Sequence, residues 1–105
     1  MAYFYPFKDV DEVTKLIVWQ AAKEVPSKDP DEWRLDLCGR LIKFSDHGKR
    51  DSQFGWEIDH IKPKALKGSD NIENLQALHW ENNSAKGDTY PWKCPKRHAI
   101  DLLRR

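Results

Sequence analysis

The chain has 105 residues, of which 39% are hydrophobic and 33% charged, and it contains five Trp, six Pro and two Cys. This length predicts a single domain spanning residues 1–105, with no room for a second core or for a small-molecule cofactor in an internal cavity. The apolar runs are far shorter than the roughly 20 residues of a membrane span, and no signal peptide is recognisable. We therefore expect a cytoplasmic protein that does not bind membranes.

Charge is unevenly distributed along the chain, although the net charge is only +1. Residues 1–60 carry 9 basic and 12 acidic side chains, a net charge of −3, whereas residues 61–105 carry 9 basic and 5 acidic ones, a net charge of +4. A basic C-terminal part is able to bind a polyanion such as nucleic acid. An ordinary solvated charged surface explains the same numbers equally well.

The N-terminal half predicts one helix followed by a β-hairpin. Asp9 is a suitable N-cap, Pro26 ends the helix, and apolar residues recur at helical spacing, which predicts a core-facing stripe; they are Val10, Val13, Leu16, Ile17 and Ala21. The segment 29–33 predicts a short helical turn with Trp33 directed inward. Residues 35–44 are β-prone and broken at Gly39, which predicts the hairpin.

The C-terminal half predicts the order strand, loop, short strand and helix. Residues 55–61 alternate apolar and polar side chains, and the turn formers that follow predict a long loop. Leu75 and Leu78 begin a segment of helix-compatible spacing that runs to about Lys86, with Gly87 just beyond its C-terminus. The tail 95–105 predicts a further short helix.

Residues 57–88 combine acid, imidazole and amide groups in an ordered set. Its parts are Asp59-His60 followed by Ile61 and Pro63, the turn Gly68-Ser69-Asp70, Asn74-Leu75-Gln76 with Leu78, and Asn83 with Lys86. The set resembles the HNH endonuclease family and its ββα-metal motif, here at about residues 55–88. With decreasing specificity the resemblance extends upstream to Trp33, and it favours the small stand-alone type found in bacteria and phages. It implies an α+β fold: a ββα core with an N-terminal helix, an extra β-hairpin and a short C-terminal helix.

The resemblance implies a metal-dependent endonuclease that hydrolyses phosphodiester bonds in DNA and nicks one strand per catalytic centre. His60 would be the general base, because an imidazole accepts a proton from water near neutral pH. Asp59 and Asn83 would supply oxygen ligands to one divalent cation, which favours Mg²⁺ or Mn²⁺ over the alternatives Ni²⁺ and Zn²⁺. Asn74 would complete the catalytic set by holding the backbone around His60.

Each of these residues also has an ordinary structural explanation. Asp59 is able to cap a turn, His60 to fill the core, Asn74 to form a turn, and Asn83 to lie exposed on a helix. Neighbouring side chains of a strand point to opposite faces, so the chain must bend at the strand end if Asp59 and His60 are to serve one site. The joint spacing, with intervals of 14 residues from His60 to Asn74 and 9 from Asn74 to Asn83, favours the site.

Many HNH proteins hold a structural zinc ion through a Cys-x-x-Cys pair at the positions of His79 and Asn82. This chain lacks that pair, so we expect no such zinc site and tryptophan packing in its place. His79 is an alternative ligand for the catalytic cation. Cys38 and Cys94 fit reduced, buried thiols better than a disulfide, and a separate zinc site is a less favoured alternative; its ligands would be Cys38, His47, Cys94 and His98.

The basic residues nearest the motif are candidates for binding nucleic acid, with double-stranded DNA as the expected partner. They are Lys62, Lys64, Lys86, Lys93 and Arg97. Lys86 lies on the same helix face as Asn83, and a solvated helix-end lysine is an equally good explanation for it. A homodimer would be required for a double-strand break in one encounter. The alternative functions are a catalytically idle nucleic-acid-binding module and an RNA-cleaving nuclease or toxin.

Overall fold

The structure, a computed structural model, describes residues 10–96. Within them lie two helices, α1 (Val10–Ala21) and α2 (Trp80–Lys86), and five strands, β1 (Lys23–Glu24), β2 (Trp33–Leu35), β3 (Leu41–Lys43), β4 (Trp56–His60) and β5 (Leu75–His79). The architecture is therefore mixed α+β, as predicted. The N-cap predicted at Asp9 and nearly all of the predicted C-terminal helix lie outside the described residues.

Helix α1 packs on the core through a different face from the predicted one. Val18 and Trp19 are 2% and 1% exposed, whereas Val13 and Ile17 remain 39% and 41% exposed. The apolar spacing located the helix, but the covered face is decided by Trp56, whose ring lies 5.2 Å from that of Trp19. Trp56 belongs to a distant strand, so local periodicity could not identify its partner.

The guanidinium group of Arg34 caps the C-terminal end of α1. Its Nη1 donates to the carbonyl oxygens of Gln20 and Ala22, both at 2.9 Å, and its Nε donates to that of Pro30 at 2.9 Å. Carbonyls at a helix C-terminus lack intrahelical partners and favour a cation. Helix α1 thus ends at Ala21, before the predicted stop at Pro26, and Arg34 links strand β2 to its last turn.

The first sheet is antiparallel, with strand order β1-β2-β3. Strands β2 and β3 form the predicted hairpin, in which Arg34 pairs with Ile42 and the connecting turn contains Gly39 at φ 82°. Ile42 is fully buried. The sheet thus adds a covering layer beside α1, and β1, which extends it by two residues, was not predicted.

The second sheet consists of β4 and β5, paired antiparallel from Trp56 opposite His79 to His60 opposite Leu75. Helix α2 follows β5 directly, and the three elements form the ββα core. Residues 75–79 are strand, so the helix-compatible spacing predicted from Leu75 onward becomes helical only at Trp80. The predicted end is confirmed, since Gly87 caps α2 at φ 52°.

A disulfide joins Cys38, in the β2–β3 turn, to Cys94, in the segment after α2. The prediction of reduced, buried thiols was wrong, because folding brings two residues 56 positions apart to a Cα–Cα distance of 5.5 Å. The four-residue zinc site that required both thiols is wrong for the same reason, and His98 lies outside the described residues. A cytoplasmic location, expected in part from free thiols, stays a prediction.

Neither helix in residues 10–96 has the length and apolar character needed to cross a bilayer.

Candidate active site

A cleft of about 360 Å³ opens where β4 ends, between the β4–β5 loop and helix α2. Asp59, His60 and Asn83 all line it, as do Lys64 and Asp88. His60 is the last residue of β4, and the chain turns away immediately afterwards. The strand end therefore allows two consecutive side chains to reach one cleft, as the sequence required.

Helix α2 contacts strand β4 through two pairs of polar side chains. Asn83 and Lys86 are three residues apart on the helix, while Glu57 and Asp59 are two apart on the strand. Residues at these intervals share one face of their element. Asn83 Nδ2 donates to Glu57 Oε1 at 2.7 Å, and Lys86 Nζ donates to Asp59 Oδ1 at 3.2 Å. The predicted shared face of Asn83 and Lys86 is thus observed, and it faces the strand.

Both oxygens of the Asp59 carboxylate accept hydrogen bonds. Lys86 Nζ holds Oδ1 and also donates to the His60 carbonyl oxygen at 2.9 Å, while Gln76 Nε2 donates to Oδ2 at 2.9 Å. Asp59 is 7% and Lys86 3% exposed. The prediction of Lys86 as a solvated or phosphate-binding lysine is therefore corrected, because its ammonium group is buried against Asp59.

His60 is half-buried, and its Nε2 lies 2.8 Å from Asp70 Oδ1. A carboxylate oxygen only accepts hydrogen bonds, so Nε2 carries the proton and Nδ1 of a neutral ring is the basic nitrogen. Lys64 Nζ donates to the other oxygen of Asp70 at 2.9 Å, and this hydrogen bond, followed by the one from His60, lowers the pKa of Asp70. Asp70 thus stays anionic and selects one tautomer of His60.

Asn74 closes the loop that connects β4 to β5. Its Oδ1 accepts from the Lys62 amide at 2.9 Å, and its Nδ2 donates to the carbonyl oxygens of Lys62 and Ser69 at 3.1 and 2.7 Å. Its own carbonyl accepts from the Ile61 amide at 2.8 Å. Gly68 completes the closure, because any Cβ there would collide with the Lys62 carbonyl. These bonds hold the backbone that follows His60.

Glu57 forms a polar cluster with Asn83 and Arg50 beside the cleft. Arg50 binds the Glu57 carboxylate with Nε and Nη2 at 2.7 and 2.8 Å, and its Nη1 donates to Ser84 Oγ at 3.1 Å. The Arg50 hydrogen bonds are the main cause that lowers the pKa of Glu57, and the bond from Asn83 acts in the same direction. Neither Glu57 nor Arg50 was identified from the sequence as a site residue.

His79 does not line the cleft, so its assignment as an alternative cation ligand is corrected. It is fully buried; its Nδ1 accepts from the Glu81 amide at 3.0 Å and its Nε2 lies 2.8 Å from the Gln53 carbonyl oxygen. The ring is therefore a neutral Nε2–H tautomer with both nitrogens occupied. Burial lowers the pKa of His79, and the nearby Arg40 cation acts in the same direction.

The carboxylate of Asp36 connects the β2–β3 turn to helix α2. Oδ1 accepts from the amides of Cys38 and Arg40 at 2.9 and 2.8 Å, and Oδ2 accepts from the His79 amide at 2.9 Å and Asn82 Nδ2 at 3.0 Å. Four donors fill the lone-pair directions of a carboxylate. Asp36 thus joins the turn to His79 and Asn82, the two positions at which this sequence lacks a Cys-x-x-Cys pair.

The donor set of the cleft fits a single, open cation site. Within residues 10–96 no group of three or more His, Cys, Asp or Glu side chains is placed to hold a metal ion, so any cation here has fewer such ligands. Asp59 and Asn83 supply a carboxylate and an amide, both hard oxygen donors of the kind that Mg²⁺ and Mn²⁺ prefer. Such a small set leaves coordination positions for water and for a substrate oxygen.

The other candidates for binding nucleic acid are exposed. Lys62 and Lys64 lie on the loop beside the cleft, and Lys93 lies in the segment after α2. Arg97 lies outside the described residues. The sequence carried only weak signals for the site residues that it did not identify. Asp70 belongs to the Gly68-Ser69-Asp70 turn and Glu57 precedes Asp59 by two positions, whereas no local pattern marks Arg50 or Asp36.

Comparison with protein families gives a match to a family model described as HNH endonuclease over residues 37–89, which is half of the chain. The matched range contains every described residue that lines the cleft. No curated protein and no solved structure matches the chain.

Proposed function

The chain belongs to the HNH endonuclease family, and we propose that it is an active, metal-dependent endonuclease that hydrolyses phosphodiester bonds in DNA. The observation that carries the proposal is the cleft lined jointly by Asp59, His60 and Asn83. It combines a base, a carboxylate and an amide oxygen in one solvent-accessible place. Hydrolysis of a phosphodiester requires a base for water and stabilisation of negative charge on the phosphate oxygens.

His60 is the proposed general base. The Asp70 carboxylate holds the Nε2 proton, so Nδ1 is the nitrogen that takes the proton from the attacking water. Asn74 acts in support, since its hydrogen bonds hold the loop that begins one residue after His60. A rigid loop keeps the imidazole in the orientation that proton transfer requires.

Asp59 and Asn83 are the proposed ligands of one Mg²⁺ or Mn²⁺ ion. When bound, the ion would neutralise charge on the scissile phosphate and its leaving oxygen. The Lys86 ammonium orients the Asp59 carboxylate through Oδ1, and Gln76 orients it through Oδ2. These contacts fix the carboxylate before a cation arrives, which is the function of groups that surround a metal ligand.

Double-stranded DNA is the proposed substrate, and Lys62, Lys64 and Lys93 are the proposed contacts to its backbone. Lysines that neutralise phosphates make affinity fall steeply with salt. One cleft attacks one strand, so we propose nicking by a monomer and double-strand cleavage only by a homodimer or in two encounters.

The test is incubation of supercoiled plasmid with the protein and Mg²⁺, Mn²⁺ or EDTA, followed by gel electrophoresis. We expect relaxed circles with either ion and none with EDTA. His60→Ala should lower the nicking rate about 100-fold or more, because a general base contributes at least that factor. His47→Ala, at a histidine that does not line the cleft, should leave nicking unchanged.

Other outcomes of this experiment would replace the proposal. DNA binding without cleavage under every ion would indicate an idle binding module. Cleavage of RNA but not of plasmid would indicate a ribonuclease. Full nicking activity in a folded His60→Ala variant would refute His60 as the base.

A further inference from the structure

Among the residues that the structure describes, Glu57 holds the nitrogen end of the Asn83 side-chain amide. Asn83 Nδ2 donates to Glu57 Oε1 at 2.7 Å. The nitrogen and oxygen of an amide lie on opposite sides of one planar group, and a carboxylate accepts hydrogen bonds but cannot donate them. Glu57 therefore binds the nitrogen end alone, and this fixes which side of the amide presents oxygen.

Glu57 is itself immobilised. Arg50 binds both of its carboxylate oxygens, at 2.7 and 2.8 Å, and donates from the same guanidinium group to Ser84 on helix α2. A bidentate arginine pair restricts the carboxylate in distance and in plane. Arg50 also balances the charge of Glu57, so the carboxylate serves as an acceptor for Asn83 without adding net negative charge beside the cleft.

We infer that Glu57 is a positioning residue for the Asn83 amide oxygen, and that Arg50 holds Glu57 in place. The inference rests on the proposed function, in which that oxygen is a ligand of the catalytic cation. A metal ligand on a helix surface would otherwise exchange among rotamers and between its two amide orientations. Partners that orient metal ligands commonly change metal affinity by about 10- to 100-fold when they are removed.

The experiment compares Glu57→Ala with Glu57→Gln, using Mn²⁺ as the probe. We expect Glu57→Ala to weaken Mn²⁺ binding, measured by electron paramagnetic resonance, about tenfold or more. Glu57→Gln should retain most of the affinity, because its side-chain carbonyl accepts the same hydrogen bond. Glu32→Ala is the matched control, since it removes an exposed glutamate paired with Lys43, and should bind Mn²⁺ like the parent.

A second readout requires neither metal nor activity. In metal-free protein labelled with ¹⁵N, the two side-chain amide protons of Asn83 should have widely separated shifts in the parent and in Glu57→Gln, and the separation should shrink toward that of a solvated asparagine in Glu57→Ala. A double-mutant cycle then tests the route of action. In an Asn83→Ala background, Glu57→Ala should cause no further loss of Mn²⁺ affinity, since the residue it positions is gone.

The outcomes separate this inference from the proposed function. A parent that neither binds Mn²⁺ nor nicks DNA would refute the proposed function. A parent that does both, with unchanged Mn²⁺ affinity in a folded Glu57→Ala variant or with additive losses in the cycle, would overturn the inference alone. If Glu57→Ala does not fold, Arg50→Met releases Glu57 instead: weaker binding and altered Asn83 amide shifts support the inference, and parent-like values overturn it.

Discussion

The disulfide between Cys38 and Cys94 should contribute a large share of the stability of this small chain. A cross-link stabilises mainly by restricting the unfolded state, and the restriction grows with the length of chain it closes. The two cysteines are 56 positions apart, for which the chain-entropy relation gives about 4 kcal/mol at 25 °C. Domains of this size have total stabilities of roughly 5 to 15 kcal/mol, so reduction should remove a large share of the unfolding free energy.

The assay is equilibrium unfolding in urea, followed by tryptophan fluorescence, for the oxidised protein, the reduced protein and Cys38→Ser/Cys94→Ser. We expect both forms without the disulfide to unfold at clearly lower urea, and only the parent to respond to reductant. The Asp36 hydrogen bond to the Cys38 amide does not involve sulfur, so the turn should survive the substitution.

Two results would refute this reasoning. Titration of two free thiols in native, air-oxidised protein would show that the bond does not form. An unchanged urea midpoint in the double serine variant, with the disulfide demonstrated in the parent, would show that the unfolded chain is already restricted in other ways.

Three further predictions concern buried polar groups. Asp36→Ala should lower the unfolding free energy by about 2 to 6 kcal/mol, because the His79 amide and Asn82 Nδ2 become buried donors without an acceptor; Asp36→Asn, which keeps one oxygen, should lose less in urea unfolding. Lys86→Met should cost about 3 to 5 kcal/mol, since it leaves the Asp59 carboxylate buried and unpaired; adding Asp59→Asn should recover part of that loss. Burial lowers the pKa of His79, so below about pH 6.5 the unfolded chain takes up a proton that the folded chain does not. The unfolding free energy should therefore fall as the pH decreases below about 6.5, by up to about 1.4 kcal/mol per pH unit.

Each of these predictions has an outcome that contradicts it. Equal stability of Asp36→Ala and the parent would mean that water replaces the carboxylate. A Lys86→Met variant of unchanged stability would mean that Asp59 is solvated in solution. The pH effect is tested with His79→Gln, in which the unfolding free energy should depend less steeply on pH. Some dependence in the same direction should remain, because burial also lowers the pKa of His47. An equally steep dependence in His79→Gln would exclude His79 as its source.

Sequence patterns were most informative where the determining interactions are local. The alternation around Trp56 predicted β4, and the turn formers after it predicted the loop. The three-residue interval between Asn83 and Lys86 placed both on one helix face. The strand that this helix face contacts was not predictable from local sequence, because Lys86 and Asp59 are 27 positions apart. That contact buries a lysine that the sequence alone allowed to be solvated.

The same limit explains the two clearest errors. Composition and the expected compartment favoured free cysteines, but a disulfide is decided by where the chain passes after α2. The helical stripe of α1 identified apolar residues correctly, yet Val18 and Trp19 are the ones covered by Trp56. In each case the local pattern allowed more than one structure, and a contact between residues distant in sequence decided which one forms.

The positions left without a zinc-binding cysteine pair show how one chemistry can replace another. We expected tryptophan packing to compensate. Trp80 does stack on His79, with ring centroids 5.8 Å apart, but the link between the β2–β3 turn and α2 is polar. A zinc site joins two segments by placing anionic ligands around a cation. Asp36 joins the β2–β3 turn and the start of α2 with the charges reversed, because N–H donors from both segments surround one anionic carboxylate. The link therefore needs no metal ion, and removing cations should destabilise this part of the fold far less than substituting Asp36.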